Sequence, residues 1–84
     1  MFVTYILYSH ALGRYYVGYC QSPLEERLRR HLSSHKGFTG KASDWQVAYT
    51  ECFASKAEAY AREREIKAKK SRKYIEWLIS QARD

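Results

Sequence analysis

Hydrophobic and polar positions follow two different rhythms along the chain. From Phe2 to Tyr8 nearly every position is apolar, β-branched or aromatic, which predicts a strand. His10-Ala11-Leu12-Gly13 reads as a turn, and Arg14 to Tyr19 resumes the earlier character, so the two runs predict an antiparallel hairpin. The rhythm then lengthens: Leu24, Leu28 and Leu32 recur every four residues and mark the apolar stripe of a helix. Ser22-Pro23-Leu24-Glu25 supplies its start, with Ser22 as cap, Pro23 at the first helical position and Glu25 completing a capping box. That helix is expected to end near Ser34. His35 to Asp44, broken by Gly37 and Gly40, reads as a loop. Trp45 to Phe53 predicts a third strand. Ser55-Lys56-Ala57-Glu58 is a second capping box, opening a helix to about Lys69. Ser71 begins a last helix with Tyr74, Ile75 and Leu78 on one face. The order ββαβαα predicts an α/β (α+β) fold, a three-stranded antiparallel sheet flanked by helices.

The chain has 84 residues, which predicts a single domain over 1–84 with its core at about 2–79 and no linker or repeat. A domain of this size has room for one sheet-and-helix core and none for a deep, enclosed small-molecule pocket. Charge adds more: 15 Lys and Arg against nine Asp and Glu give +6, and the pI is near 9.5. A field of that sign attracts polyanions, nucleic acid first and an anionic membrane surface second. A merely solubilising charge is the plain alternative.

Cys20 and Cys52 form no CxxC pair and read as reduced thiols, which points to the cytoplasm. With His31 and His35 they give no recognised zinc spacing. The N-terminus carries no signal-peptide pattern. No apolar run approaches the ~20 residues of a membrane span, so no membrane association is expected.

Tyrosine is over-represented, with eight in the chain; most are strand formers and core filler. Tyr5 and Tyr16 stand apart, since each lies mid-strand in the hairpin and the two phenols could project into one shallow site. Arg27 and His31 are four apart on the first helix and so share a face, flanking the leucine stripe. Arg29 and Arg30 lie further round, as solvated or phosphate-contacting charges. Glu63 falls between Ala59 and Ile66 within the apolar stripe of the second long helix. A carboxylate there is costly unless it is paired or bound to a cation. A salt bridge to Arg27 or Lys67 is the plain reading. Glu65 is expected to be exposed.

Taken in order, these residues resemble the GIY-YIG nuclease superfamily, and in particular its small stand-alone members akin to the N-terminal nuclease domain of the excinuclease. Val3-Thr4-Tyr5 stands at the GIY position and Tyr16-Val17-Gly18 at the YIG position, with ten residues between Tyr5 and Tyr16. Leu24 to His31 is similar to the helix in which an Arg and a His four later recur. Ala59 to Lys67 is similar to the helix that carries the metal-binding Glu. The resemblance runs from about residue 3 to residue 79. The first motif keeps only its Tyr, and the chain contains no Asn, where the family often has one near the C-terminal end of the domain; Ser71 is a candidate replacement.

The resemblance implies a metal-dependent endonuclease. Glu63 would be the single protein ligand of one Mg²⁺ or Mn²⁺ ion. Arg27 would hold a non-bridging oxygen, Tyr5 would activate the attacking water, Tyr16 would position water and phosphate, and His31 would take up a proton. The expected partner is nucleic acid, DNA ahead of RNA, with a repair or recombination role. Arg30, Lys36, Lys41, Arg64, Lys69, Lys70 and Arg72 are candidates for backbone contacts, a salt-sensitive contribution to binding. Two rivals stay open: a non-catalytic nucleic-acid-binding module of the same fold, and a small subunit whose protein partner supplies substrate specificity.

Overall fold

β-Branched and aromatic side chains suit the pleated, half-buried surface of a sheet, and the three runs of them form one. The computed structural model describes residues 1–21, 23, 24, 26 and 44–82. Strand β1 spans Phe2–Ser9, β2 Arg14–Gln21 and β3 Gln46–Phe53. Helix α1 spans Lys56–Lys69 and α2 Arg72–Ala82. The strands lie in the order β2-β1-β3, and both pairings are antiparallel. The expected α+β class, hairpin, third strand and last two helices are all present. The helix expected from Ser22 to Ser34 and the loop after it fall largely outside the described residues, and Arg27, Arg30, His31, Lys36 and Lys41 fall outside them entirely.

As the central strand, β1 is covered on both faces, which is why its sequence is nearly continuous in apolar character rather than alternating. Val3, Tyr5 and Leu7 face one way, with Cys20 and Trp45, and Leu24 packs against this group. Ile6 faces the other way, with Val17 of β2, Ile66 of α1 and Leu78 of α2. The helices therefore lie on the face opposite Tyr5.

Local chemistry sets the turns. Gly13 adopts φ +62°, a conformation open to glycine at little cost, and its N–H donates to the Ser9 carbonyl at 2.8 Å. The buried Ser9 hydroxyl donates to Asp44 Oδ1 at 2.6 Å, while the Ala11 N–H donates to Asp44 Oδ2 at 2.9 Å. Asp44 thus fastens the hairpin loop to the chain entering β3.

Ser55 caps α1: its Oγ accepts from the Glu58 N–H at 3.2 Å and donates to the Glu58 carboxylate at 3.0 Å. Lys70 ends the helix in the left-handed conformation, φ 47° and ψ 39°. Ser71 then caps α2, accepting from the Tyr74 N–H at 3.1 Å.

Two contacts seat α1 on the sheet. Ala59 is fully buried, and the Thr4 hydroxyl donates to its carbonyl at 2.8 Å. On the β3 side, Arg62 directs Nε and Nη2 onto Glu51, at 3.1 and 3.0 Å. Its Nη1 reaches the Tyr74 hydroxyl at 3.2 Å and Glu65 at 3.0 Å, and the Tyr49 hydroxyl donates to Glu51 as well. Burial works against the Arg62 charge, but the hydrogen bonds to Glu51, Tyr74 and Glu65 outweigh it and hold the guanidinium above its ordinary pKa. Burial, and then Glu51, push the Tyr49 phenol up. Nothing in the periodicity marked Arg62 out, because the network needs three elements brought together.

Candidate active site

Strand register fixes the first part of the site. Tyr5 pairs directly with Gly18, and Leu7 with Tyr16. Paired residues share a face, so Tyr5 and Tyr16 sit on the same side of the hairpin as diagonal neighbours. Gly18 has no side chain, and the Tyr5 ring fills the vacancy: a Cβ built at Gly18 would stand 2.7 Å from the Tyr5 hydroxyl. The Tyr5 phenol is thereby carried to the outer edge of β2 although the residue is only 2 % exposed.

Glu63 arrives from the other face. Residues 59, 63 and 66 share one side of α1 by their three- and four-residue spacing. With Ala59 bonded to Thr4 and Ile66 buried, the chain leaves Glu63 against the sheet rather than in solvent, and its side chain is 13 % exposed. Lys67, one turn on, donates to it at 3.4 Å, so of the two expected partners the described one is Lys67. The same ammonium lies 6.0 Å from the centre of the Tyr16 ring. Glu65, on the same helix, is exposed and pairs with Arg62.

These side chains meet in one cavity of about 310 Å³ that wraps the edge of β2, lined by Tyr5, Tyr16, Gly18, Tyr19, Lys56 and Glu63. Three of the five candidate catalytic residues are therefore together; Arg27 and His31 lie outside the described residues. Tyr19 and Lys56 were not anticipated. Tyr19 contacts Tyr60 edge-on at 5.5 Å, and nothing in its sequence context separates it from other strand tyrosines. Lys56 did leave a signal. It occupies the first position of α1, where the helix dipole disfavours a cation, so a positive charge there calls for a reason other than helix stability.

The candidate nucleic-acid contacts divide. Arg64 borders a second depression of about 320 Å³ with Tyr60, Glu63 and Lys67, and its guanidinium donates to the Tyr60 hydroxyl at 2.9 Å. Lys70 and Arg72 line a larger groove, of about 490 Å³, on the helix side of β2. Arg72 is already engaged there, donating to the Gly13 carbonyl at 2.7 Å and to Glu76 at 3.2 Å. Lys69 turns away, 5.4 Å from the Tyr74 ring centre. Ser71 lines the large groove and not the Tyr5–Glu63 cavity.

Among the described residues, no three His, Cys, Asp or Glu side chains come together. No described helix is long and apolar enough to cross a membrane. Chemically, the cavity offers one carboxylate, phenol hydroxyls and a lysine, a set of hard oxygen donors with a cation beside them.

Residues 1–75 match the family model described as the GIY-YIG catalytic domain. A search of curated proteins gives no match. Among solved structures, the chain is similar to a UPF0213 protein of Bacillus halodurans determined by solution NMR, at 31% identity and a TM-score of 0.61, covering 98% of this chain and 86% of that one.

Proposed function

The chain belongs to the GIY-YIG family of nuclease domains, and on that premise we propose that it hydrolyses phosphodiester bonds in nucleic acid, DNA ahead of RNA, using one Mg²⁺ or Mn²⁺ ion. One observation carries the reading: Tyr5, Tyr16 and Glu63, from three separate elements, open into one cavity at a strand edge. The domain is proposed to span 1–84 and to work in the cytoplasm, in repair or recombination, with a protein partner as a source of substrate specificity.

The donors fit such an ion. Mg²⁺ takes oxygen ligands and keeps several waters, and Glu63 offers a largely shielded carboxylate beside open space. Glu63 would be the single protein ligand, with water and phosphate oxygens as the rest of the shell. When bound there, a divalent ion supplies charge neutralisation at the phosphoryl and leaving oxygens.

The protein's own groups do the positioning. Tyr5, wedged over Gly18, holds its hydroxyl at one place and would orient the attacking water and take its proton. An ordinary phenol pKa near 10 suits this poorly; Lys56, which lines the same cavity, supports the reading as a cation beside the reacting groups. Tyr16 would hydrogen-bond water and phosphate. Arg27 would grip a non-bridging oxygen, which its planar fork suits, and His31 would accept a proton. Arg30, Lys36, Lys41, Arg64, Lys69, Lys70 and Arg72 would attract the backbone.

A second reading, a nucleic-acid-binding module without catalysis, draws support from the absence of Asn in the sequence. One assay separates the two. Linear, nicked, branched and single-stranded DNA and RNA are incubated with wild type and Glu63→Ala in Mg²⁺ or Mn²⁺, with an EDTA control and binding measured on the same samples. Cutting that needs metal and vanishes in Glu63→Ala while binding persists establishes the nuclease. Binding without cutting establishes the module.

A further inference from the structure

The groove on the helix side of β2 has no part in the chemistry above, yet it adjoins it. Tyr16 lines both spaces, and Lys67 lines the groove while holding Glu63 of the cavity. Its inner surface is apolar: Val17 and Ile66 are buried, and Ile75 packs with them. Its mouth is cationic, with the exposed side chains of Arg14 and Lys70. Arg72 forms a wall, its guanidinium 5.3 Å from the Tyr15 ring centre. An apolar slot with a positive rim suits a ligand that is flat and apolar in one part and anionic in the next. Its volume, about 490 Å³, lies within the range of roughly 300–1,000 Å³ that small-molecule sites occupy.

A second observation points the same way. Lys70 is the one non-glycine residue with positive φ among those described, at 47°. At a helix end in that conformation glycine is favoured, since it has no Cβ to strain. A lysine there keeps an ammonium at the groove mouth against the local backbone preference.

We propose that this groove is a nucleotide subsite: it takes one unpaired base of the substrate, whose adjoining phosphate lies at the Tyr16–Glu63 cavity. The assignment rests on the nuclease reading for its purpose but not for its binding. Stacked bases in a duplex present no free face, so a base enters an apolar slot only when it is out of the stack. The substrate class is therefore nucleic acid with an extruded, bulged or single-stranded nucleotide beside the scissile bond.

The test varies the ligand first. Affinities of wild type are measured, without metal, for three DNAs of one sequence: a fully paired duplex, a duplex with a single-nucleotide bulge, and that bulge carrying an abasic residue. The expected result is about tenfold tighter binding of the bulge than of the paired duplex, with most of the gain lost at the abasic bulge. Equal affinity for the intact and abasic bulges overturns the subsite, because phosphate and bending alone would then explain it. Lys70→Gly is the second arm. Relief of the left-handed strain raises its melting temperature, while its affinity falls on both DNAs, since Lys70 also attracts the backbone, but about fivefold further for the bulge than for the paired duplex. A fall of equal size on both overturns the assignment. Cleavage of the bulged DNA in Mg²⁺ is scored separately: selective binding without cutting removes the nuclease reading and leaves the subsite, and cutting without selectivity does the reverse.

Discussion

The Tyr5 phenol lies across the backbone of Gly18, so that a Cβ at position 18 would meet the hydroxyl at 2.7 Å and its ring carbon at 2.8 Å. The two are direct cross-strand partners, and the missing side chain of one is the seat of the other. Glycine is required here for space, since Gly18 shows no positive φ.

Gly18→Ala forces out a rigid ring that is nearly wholly buried. Overpacking of this kind costs about 1–3 kcal/mol, and each kcal/mol lowers Tm by roughly 4–8 °C in a domain of this size. The Tyr5 hydroxyl is displaced as well, so cleavage falls by more than the loss of folded protein accounts for. Thermal melts and rates on the same samples check it; unchanged activity in a destabilised protein removes Tyr5 from the chemistry.

Glu63→Gln separates function from folding. Its described partner is a Lys67 ammonium at 3.4 Å that is itself half exposed, a pairing worth about 0–1 kcal/mol. Removing a shielded charge offsets that, so stability in urea changes by less than about 0.5 kcal/mol. Loss of a metal contribution of several kcal/mol corresponds to a rate fall on the order of 10³. Mn²⁺ affinity, followed by electron paramagnetic resonance, falls with it; retention of that affinity places the ligand elsewhere.

Arg62→Met takes out the hub that joins α1 to β3 and α2. Glu51 and Tyr49 keep each other but lose their cation. Removing one partner of a well-buried pair costs about 3–5 kcal/mol; the Arg62 and Glu51 side chains are 18% and 25% exposed, which places the expected loss nearer about 2–3 kcal/mol. Urea denaturation measures it. A double variant with Glu51→Gln recovers part of the loss, because no unpaired carboxylate remains.

Asp44 sets an acid limit. Hydrogen bonds from Ser9 first, and then from the Ala11 N–H, hold its carboxyl below the ordinary value of 3.8. A depressed carboxyl stabilises the fold above its unfolded pKa, and the contribution is lost as pH falls from there through the folded value. The urea midpoint of wild type therefore drops below about pH 4, and the drop is shallower in Asp44→Asn, which starts from a lower midpoint near neutrality.

Local rules located every described element. The Ser55 and Ser71 caps, the Gly13 turn and the helix ends were legible because each is decided by neighbours within a few residues. The grouping of Tyr5, Tyr16 and Glu63 was legible through motif order and through one misplaced carboxylate in an apolar stripe. Tyr19 was not, since its part in the cavity depends on which strand lies at the edge.

Sequence by itself thus determined the elements, the fold class and the residues that resemble a nuclease site. Only the tertiary structure decided that β2 lies at an edge of the sheet with β1 in the centre, that the Tyr5 ring fills the vacancy at Gly18, that Arg62 and Glu51 join three elements, and that an apolar groove adjoins the cavity. The reason is range. A cap or a turn is settled by hydrogen bonds across three or four residues, whereas the Thr4–Ala59 bond and the Ser9–Asp44 bond join positions 55 and 35 apart, and their geometry exists only once the sheet and its helices have packed.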